Sequence, residues 1–253
     1  MSTHAIVTER LARAGCVAAS EEADELLAAA PDAATLETWL ARREQGEPLA
    51  WIIGTMRFAG QTIRVDPGVY VPRVQSEGLA LRAAARLPAG GRALDLCTGA
   101  GAIAAHLATN VPRAFVVGTD IDPGAAACAR RNGVAVVVAD LAGPFQAAAT
   151  FDTVTVVAPY VPTRELALLP ADVQRYEPRR ALDGGPDGLD LVRRTAGAAS
   201  RLLRPGGWFL AELGGEQDAV LAPAFAALGF EAAEPWWDED GDLRGVAVRR
   251  LTR

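Results

Sequence analysis

Apolar side chains recur at helical spacing over Val7–Ala14 and Glu21–Ala30, and the pattern resumes over Thr35–Gln45, predicting three helices. Ser20, just before two glutamates, is a candidate N-cap for the second. Pro31-Asp32 breaks the run and Gly46-Glu47-Pro48 ends it. Trp51–Gly54 and Gln61–Val65 then read as short strands around a turn near Ala59-Gly60, and Asp66-Pro67-Gly68 is a second turn. Val69–Arg73 reads as an extended segment. From Glu77 onward the pattern alternates. Helices are expected at Gly78–Arg86, Ala102–Thr109, Pro123–Asn132, Leu189–Leu203 and Gln217–Leu228. Strands are expected at Arg92–Leu96, Ala114–Thr119, Val134–Ala139, Thr153–Val157, Trp208–Leu213, Phe230–Trp236 and Gly245–Arg249. Strands and helices in this order imply an α/β fold, a parallel sheet with helices on both faces. No internal repeat is visible.

Composition narrows the chemistry. The 253 residues are 50% hydrophobic and 22% charged, the mix of a soluble globular chain. No uncharged apolar run reaches the roughly 20 residues of a membrane span, and Met1–Arg10 lacks a secretory pattern. Cys16, Cys97 and Cys128 are too few and scattered for a disulfide frame or a zinc site, so a cytoplasmic location is expected. His4 and His106 are the two histidines, and no cluster has metal-ligand spacing, so no metal is expected. The net charge of −6 leaves no basic footprint for nucleic acid. All 25 basic residues are arginine, which excludes lysine Schiff-base chemistry.

The informative stretch is Asp95-Leu96-Cys97-Thr98-Gly99-Ala100-Gly101-Ala102, between a predicted strand and a predicted helix. Glycines there allow a sharp turn and close approach of a ligand to free N–H groups. Asp120 ends the next strand, at the spacing of an acid that accepts from ribose hydroxyls, and Asp140 ends the third, where it could face an adenine amino group. Gly99-x-Gly101-x-x-Ala104 permits a dinucleotide reading. Asp95, however, stands where a phosphate would sit. It suits a cationic ligand such as S-adenosylmethionine better. An NAD-dependent oxidoreductase would also need a hydride-site acid, usually His, Tyr or Lys; the chain has no lysine and neither histidine is well placed.

The chain resembles the protein-glutamine N-methyltransferases that act on peptide-release factors. Gly46-Glu47-Pro48-Leu49 with Gly54, Phe58 and Gly60 resembles that family's connector. Val69-Tyr70-Val71-Pro72-Arg73 followed by Glu77 resembles its Pro-Arg-x-x-Thr-Glu entry, with Ser76 in the threonine's place. Tyr176-Glu177-Pro178 and Ala181–Asp190 resemble a loop typical of the family, and Arg204-Pro205-Gly206-Gly207 is common among class I methyltransferases. The resemblance implies a class I, Rossmann-like methyltransferase with a mostly parallel seven-stranded sheet. It also implies a helical N-terminal domain (1–47), a β-hairpin connector (48–76) and a catalytic domain (77–253), with every cofactor motif after Glu77. Cofactor contacts would come from Asp95, Thr98, Gly99 and Gly101 on the methionine side, Asp120 and Ile121 at the ribose, and Asp140 at the adenine. Arg73, Glu77, Val157 and Tyr160 would bind the acceptor, and Ala158, Pro159 and Tyr160 form the acceptor-side motif. The product would be S-adenosylhomocysteine.

One departure bears on the reaction. The family's Asn-Pro-Pro-Tyr is here Val157-Ala158-Pro159-Tyr160. The family asparagine and the following carbonyl hold the two N–H groups of the acceptor amide, and valine cannot. Three readings stay open: a different acceptor (small molecule or protein), slow methylation of release-factor glutamine, or cofactor binding without catalysis. His106 and Cys97 are expected to be structural. Trp236-Trp237 is expected to cap a sheet edge. Glu177 reads equally as a neighbour of the acceptor or a solvated charge.

Overall fold

The computed structural model describes residues 2–145 and 150–252. Met1, residues 146–149 and Arg253, which fall within the expected 1–47 and 77–253 segments, lie outside the described residues. Helix α1 (Thr3–Arg13) starts earlier than the apolar pattern because the Ser2 hydroxyl accepts from the Ala5 N–H at 3.2 Å. Helix α2 (Ala19–Ala29) begins one residue before Ser20, so Ser20 lies inside the helix and is not its cap. Helix α3 (Ala33–Glu44) is capped by Asp32, which accepts from the Thr35 N–H at 2.7 Å.

Trp51–Gly54 is not a strand. Helix α4 (Leu49–Ile53) follows Pro48 and stops on Gly54, which has φ +85°. A four-residue apolar run does not separate a strand from a buried helix. Burial on two sides decides it here. Ile52 closes a core with Val7, Leu11, Ala23, Leu26 and Leu40 of the first three helices. Ala50 and Trp51 face the opposite way, into the core against the sheet, and the Trp51 indole donates to the Val69 carbonyl at 2.9 Å.

The connector hairpin pairs β1 (Thr55–Phe58) with β2 (Gln61–Arg64) antiparallel. Its turn residues Ala59 and Gly60 have φ +46° and +79°, the left-handed pair that matches strand twist in a two-residue loop. Helices α5 (Glu77–Arg86), α6 (Ala102–Asn110) and α7 (Pro123–Arg131) alternate with strands β3 (Arg92–Leu96), β4 (Phe115–Asp120) and β5 (Ala135–Val138). Strand β6 (Phe151–Val156) follows, then α8 (Ala171–Tyr176), α9 (Asp190–Leu202), β7 (Leu203–Glu212), α10 (Gln217–Ala227), β8 (Glu234–Trp237) and β9 (Leu243–Arg249). Phe230 makes a lone bridge to Arg250, so the strand expected from that residue starts later, at Glu234. Phe230 is instead packed against Phe209 and Phe225. Trp236 is buried on β8, a strand at the sheet edge, whereas Trp237 is exposed.

The seven strands run in the order β5-β4-β3-β6-β7-β9-β8. β3 to β7 pair in parallel, and β9 and β8 add an antiparallel edge. Side chains alternate across the sheet. Ala93 enters the core under α5, α6 and α7, while Leu94 and Leu96 enter the core under α9 and α10. Strand order reverses between β3 and β6, which opens a crevice at their carboxyl ends.

The hairpin is fastened beside that crevice by Asn132, just past α7. Its side chain donates to the carbonyls of Arg64 and Ala100, each at 2.8 Å, and accepts from the Arg64 N–H at 2.9 Å. Replacing Asn132 by alanine removes all three bonds. The expected result is a stability loss of about 1–3 kcal/mol, read by thermal unfolding. An unchanged melting temperature would mean that these bonds exchange freely with water.

Candidate active site

The Asp95–Gly101 loop is organised from beneath by its own acid. Asp95 is 1% exposed, and its carboxylate accepts from the Thr98 hydroxyl at 2.6 Å and the Thr155 hydroxyl at 2.7 Å. Burial pushes this carboxyl up to about 6, against the two hydroxyls that favour its charged form. Gly99 has φ +55° and open space where a Cβ would stand, and its N–H donates to Asp120 at 2.8 Å. Gly101, at φ +82°, has a packing role: a Cβ there would lie 2.9 Å from the Ala129 Cβ on α7. Cys97 sits at φ +55°, and burial raises its thiol well above the ordinary range, so it stays an inert thiol.

A cavity of about 340 Å³ occupies the crevice. Gly99, Asp120, Ile121, Asp140, Val157 and Pro159 are among its walls. The Asp120 carboxylate is held by two backbone N–H groups, of Gly99 and of Asp122 at 2.9 Å, and burial raises it above the usual range. Asp122 and Asp140 face Arg180 at 3.4 Å and Arg194 at 2.7 Å. Asp95 and Thr98 do not reach this cavity. They line a small adjoining space of about 40 Å³ shared with Gly99 and Val157. Gly68, Val69 and Tyr70 also line the main cavity, so its wall is not built entirely from residues after Glu77.

A second cavity, of about 370 Å³, adjoins the first. Tyr70, Val157 and Pro159 line both. The second is completed by Arg73, Gln75, Ala158, Tyr160 and residues up to Leu182. Val157 therefore stands at the junction. Arg73 packs over the Tyr70 ring at 4.9 Å and pairs with Glu177, whose carboxylate is buried and held above its ordinary pKa by that burial. Desolvation likewise pushes the Tyr70 phenol up to about 12. Glu177 is thus the partner of Arg73 and not a solvated charge.

Glu77 is not brought to the acceptor side. Its carboxylate accepts from the Ala59 N–H at 2.8 Å, at the turn of the hairpin. His106 is 3% exposed and its ring meets Asn110 on the same helix. Sequence reasoning missed Glu212, which ends β7 at 2% exposure and takes hydroxyl hydrogen bonds from Ser76 and Tyr160. A glutamate as the last residue of an apolar strand was the signal that could have found it. Among the described residues there is no group of three or more His, Cys, Asp or Glu that could hold a metal ion, and no helix is long and apolar enough to cross a membrane.

The donor set fits S-adenosylmethionine: a glycine with open space beside it, a carboxylate at the tip of β4, and a wall of Asp122 and Asp140 met by Arg180 and Arg194. The Methyltransferase domain family profile matches residues 93–176. A ribosomal protein L11 methylase from Lactobacillus delbrueckii subsp. bulgaricus shares the fold at TM-score 0.54 and 18% identity, covering 75% of this chain and 85% of that one. A Thermus thermophilus 16S rRNA N2 G1207 methyltransferase, solved with AdoMet and guanosine, does so at TM-score 0.52 and 20% identity over 78% of this chain and 44% of that one. Fold and site define a class I, S-adenosylmethionine-dependent methyltransferase.

The release factor glutamine methyltransferase of Geobacter sulfurreducens is 41% identical over 216 residues, 83% of this chain and 76% of its own length. That of Cereibacter sphaeroides is 36% identical over 264 residues, covering 95% and 94%. The chain belongs to the release factor glutamine methyltransferase family.

Asp95 has a consequence for stability. Between about pH 4 and 6 its native carboxyl keeps a proton that the unfolded chain, titrating at the ordinary 3.8, has already lost. Its contribution is therefore greatest below about pH 4 and falls as pH rises through about 6, by about 3 kcal/mol in all. Asp95→Asn should remove that slope. Urea unfolding of both proteins between about pH 4 and 7 reads the difference, because every other carboxyl is common to the two. Parallel curves would show that Asp95 is ionised throughout.

Proposed function

We propose that this enzyme transfers the methyl group of S-adenosylmethionine to an acceptor other than a release-factor glutamine, held in the cavity beside Val157–Tyr160. When bound, S-adenosylmethionine supplies an electrophilic methyl on a sulfonium. Gly99 gives its methionine portion close approach to the loop, Asp120 accepts from the ribose hydroxyls beside Ile121, and Asp140 borders the adenine. Asp95 and Thr98 act from below, by fixing the loop. The acceptor side is formed by Arg73, Val157, Ala158, Pro159 and Tyr160. Alignment of the nucleophile with the departing methyl carries the catalysis.

The observation that carries the reading is Val157 at the junction of the two cavities. A primary amide brings two N–H groups. The Ala158 carbonyl can take one, and the valine side chain can take none. A buried N–H left unpaired costs about 1–3 kcal/mol, and an amide so held is also poorly oriented. An acceptor that needs no hydrogen bond at position 157 suits this wall better. The 41% identity to a release factor glutamine methyltransferase supports a second reading, in which the parent activity is kept through some other donor or acceptor.

Methyl incorporation into purified release factor, beside a relative that carries the asparagine, separates the two. The first reading expects this chain to be slower by about 10- to 100-fold, the rate equivalent of one lost positioning bond. It also expects Val157→Asn to raise glutamine methylation. Comparable rates in the two enzymes would establish the second reading. For the cofactor side, Asp120→Ala should weaken S-adenosylmethionine about 10- to 100-fold in calorimetry, the effect of losing charged hydrogen bonds. Unchanged affinity would remove Asp120 from the site.

A further inference from the structure

Glu212 lies between the two segments that wall the acceptor cavity. It is the last residue of β7, beside β6, from whose end the Val157–Tyr160 segment departs. One carboxylate oxygen accepts from the Ser76 hydroxyl, and the other accepts from the Tyr160 hydroxyl at 3.0 Å. Ser76 directly follows Gln75, which with Arg73 lines the cavity from the connector side. Tyr160 lines it from the opposite side and continues into a third space of about 450 Å³ along Val161–Leu169. The Tyr160 backbone is already fixed: its carbonyl accepts from Gln217 at 3.2 Å, and a Cβ on Gly188 would come within 2.2 Å of that oxygen. The far end of the ring is held by Glu212.

A buried carboxyl is costly unless its oxygens are satisfied. An apolar residue at 212 would avoid that cost but would leave the buried Ser76 hydroxyl and the half-buried Tyr160 hydroxyl without their acceptor. The carboxyl serves both donors at once and so sets the distance between the connector and the acceptor motif.

We propose that Glu212 is a positioning residue of the acceptor cavity, a clip whose two oxygens hold the Tyr160 ring against the connector at Ser76. The functional meaning rests on the reading that this cavity takes the acceptor. The clip itself can be tested at Tyr160 without any acceptor.

The chain has three tyrosines, so protein labelled with 3-fluorotyrosine gives three fluorine resonances, and Tyr160→Phe identifies the one of interest. In Glu212→Ala the Tyr160 resonance should move toward its position in the urea-unfolded chain and become sensitive to solvent, while that of Tyr176, whose hydroxyl donates to the Gln45 carbonyl, stays in place. Glu212→Gln, which keeps one acceptor oxygen, should restore most of the native position. Ser76→Ala should give a smaller displacement in the same direction, and it serves if the alanine variant at 212 does not fold. Affinity for S-adenosylhomocysteine should remain within about twofold in the Glu212 variants, as for independent sites. A Tyr160 resonance unmoved in Glu212→Ala or Ser76→Ala would overturn the proposal, as would three resonances moving together. Failure of the release-factor comparison alone would leave these spectra unchanged, so the two readings fail separately.

Discussion

The hydrogen bonds of Asp95 hold together the part of the sheet on which everything else is placed. Its two oxygens reach Thr98 in the loop and Thr155 on the neighbouring strand, at 2.6 and 2.7 Å. β3 and β6 are the strands between which the order reverses, so this one carboxyl spans the switch point and the turn above it. The loop can then present the Gly99 N–H to Asp120, and Asp120 in turn caps the start of the segment leading to α7 through the Asp122 N–H. Charge is tolerated there because hydroxyls, not water, satisfy it. The cost of burial appears as the raised pKa of the group.

On the other side of β6 the same economy recurs with different residues. Arg73 with Glu177, and Glu212 with Ser76 and Tyr160, fasten the connector to the segments that surround the second cavity. The Arg73–Glu177 and Ser76–Glu212 pairings join parts of the chain more than 100 residues apart. Such pairs define geometry more than they add stability, since the desolvation of their charges offsets much of the attraction. The result is two adjoining cavities, the first walled in part by backbone and acids and the second in part by Tyr70 and Tyr160, with Val157 at their junction.

The connector is more than a spacer. Gly68, Val69 and Tyr70 wall the cofactor cavity, Asn132 binds the hairpin to the glycine loop, and α4 shares its two faces between the helical core and the sheet-side core. The connector and the sheet therefore meet at one crevice, and α4 joins the helical segment to both. Family membership accounts for the common frame. Val157, at the junction of the two cavities, is the residue on which the proposed choice of acceptor rests.

The local pattern by itself determined the alternation of strands and helices, the glycine loop, and the acids at the strand tips, because periodicity and spacing are properties of neighbouring residues. The parallel core of the sheet followed from that alternation, and the Pro159-Tyr160 motif was readable as a string. Trp51–Gly54 was not decided that way: a short apolar run is compatible with strand or helix, and burial on two sides selected the helix. Nor could spacing tell that Asp95 and Thr98 support the loop from beneath, that Gly101 makes room for Ala129, or that Glu77 turns to the hairpin. Glu212 depended on tertiary structure most of all. Its partners lie 136 and 52 residues away, and only the folding of β7 beside β6 and the connector brings the three side chains together.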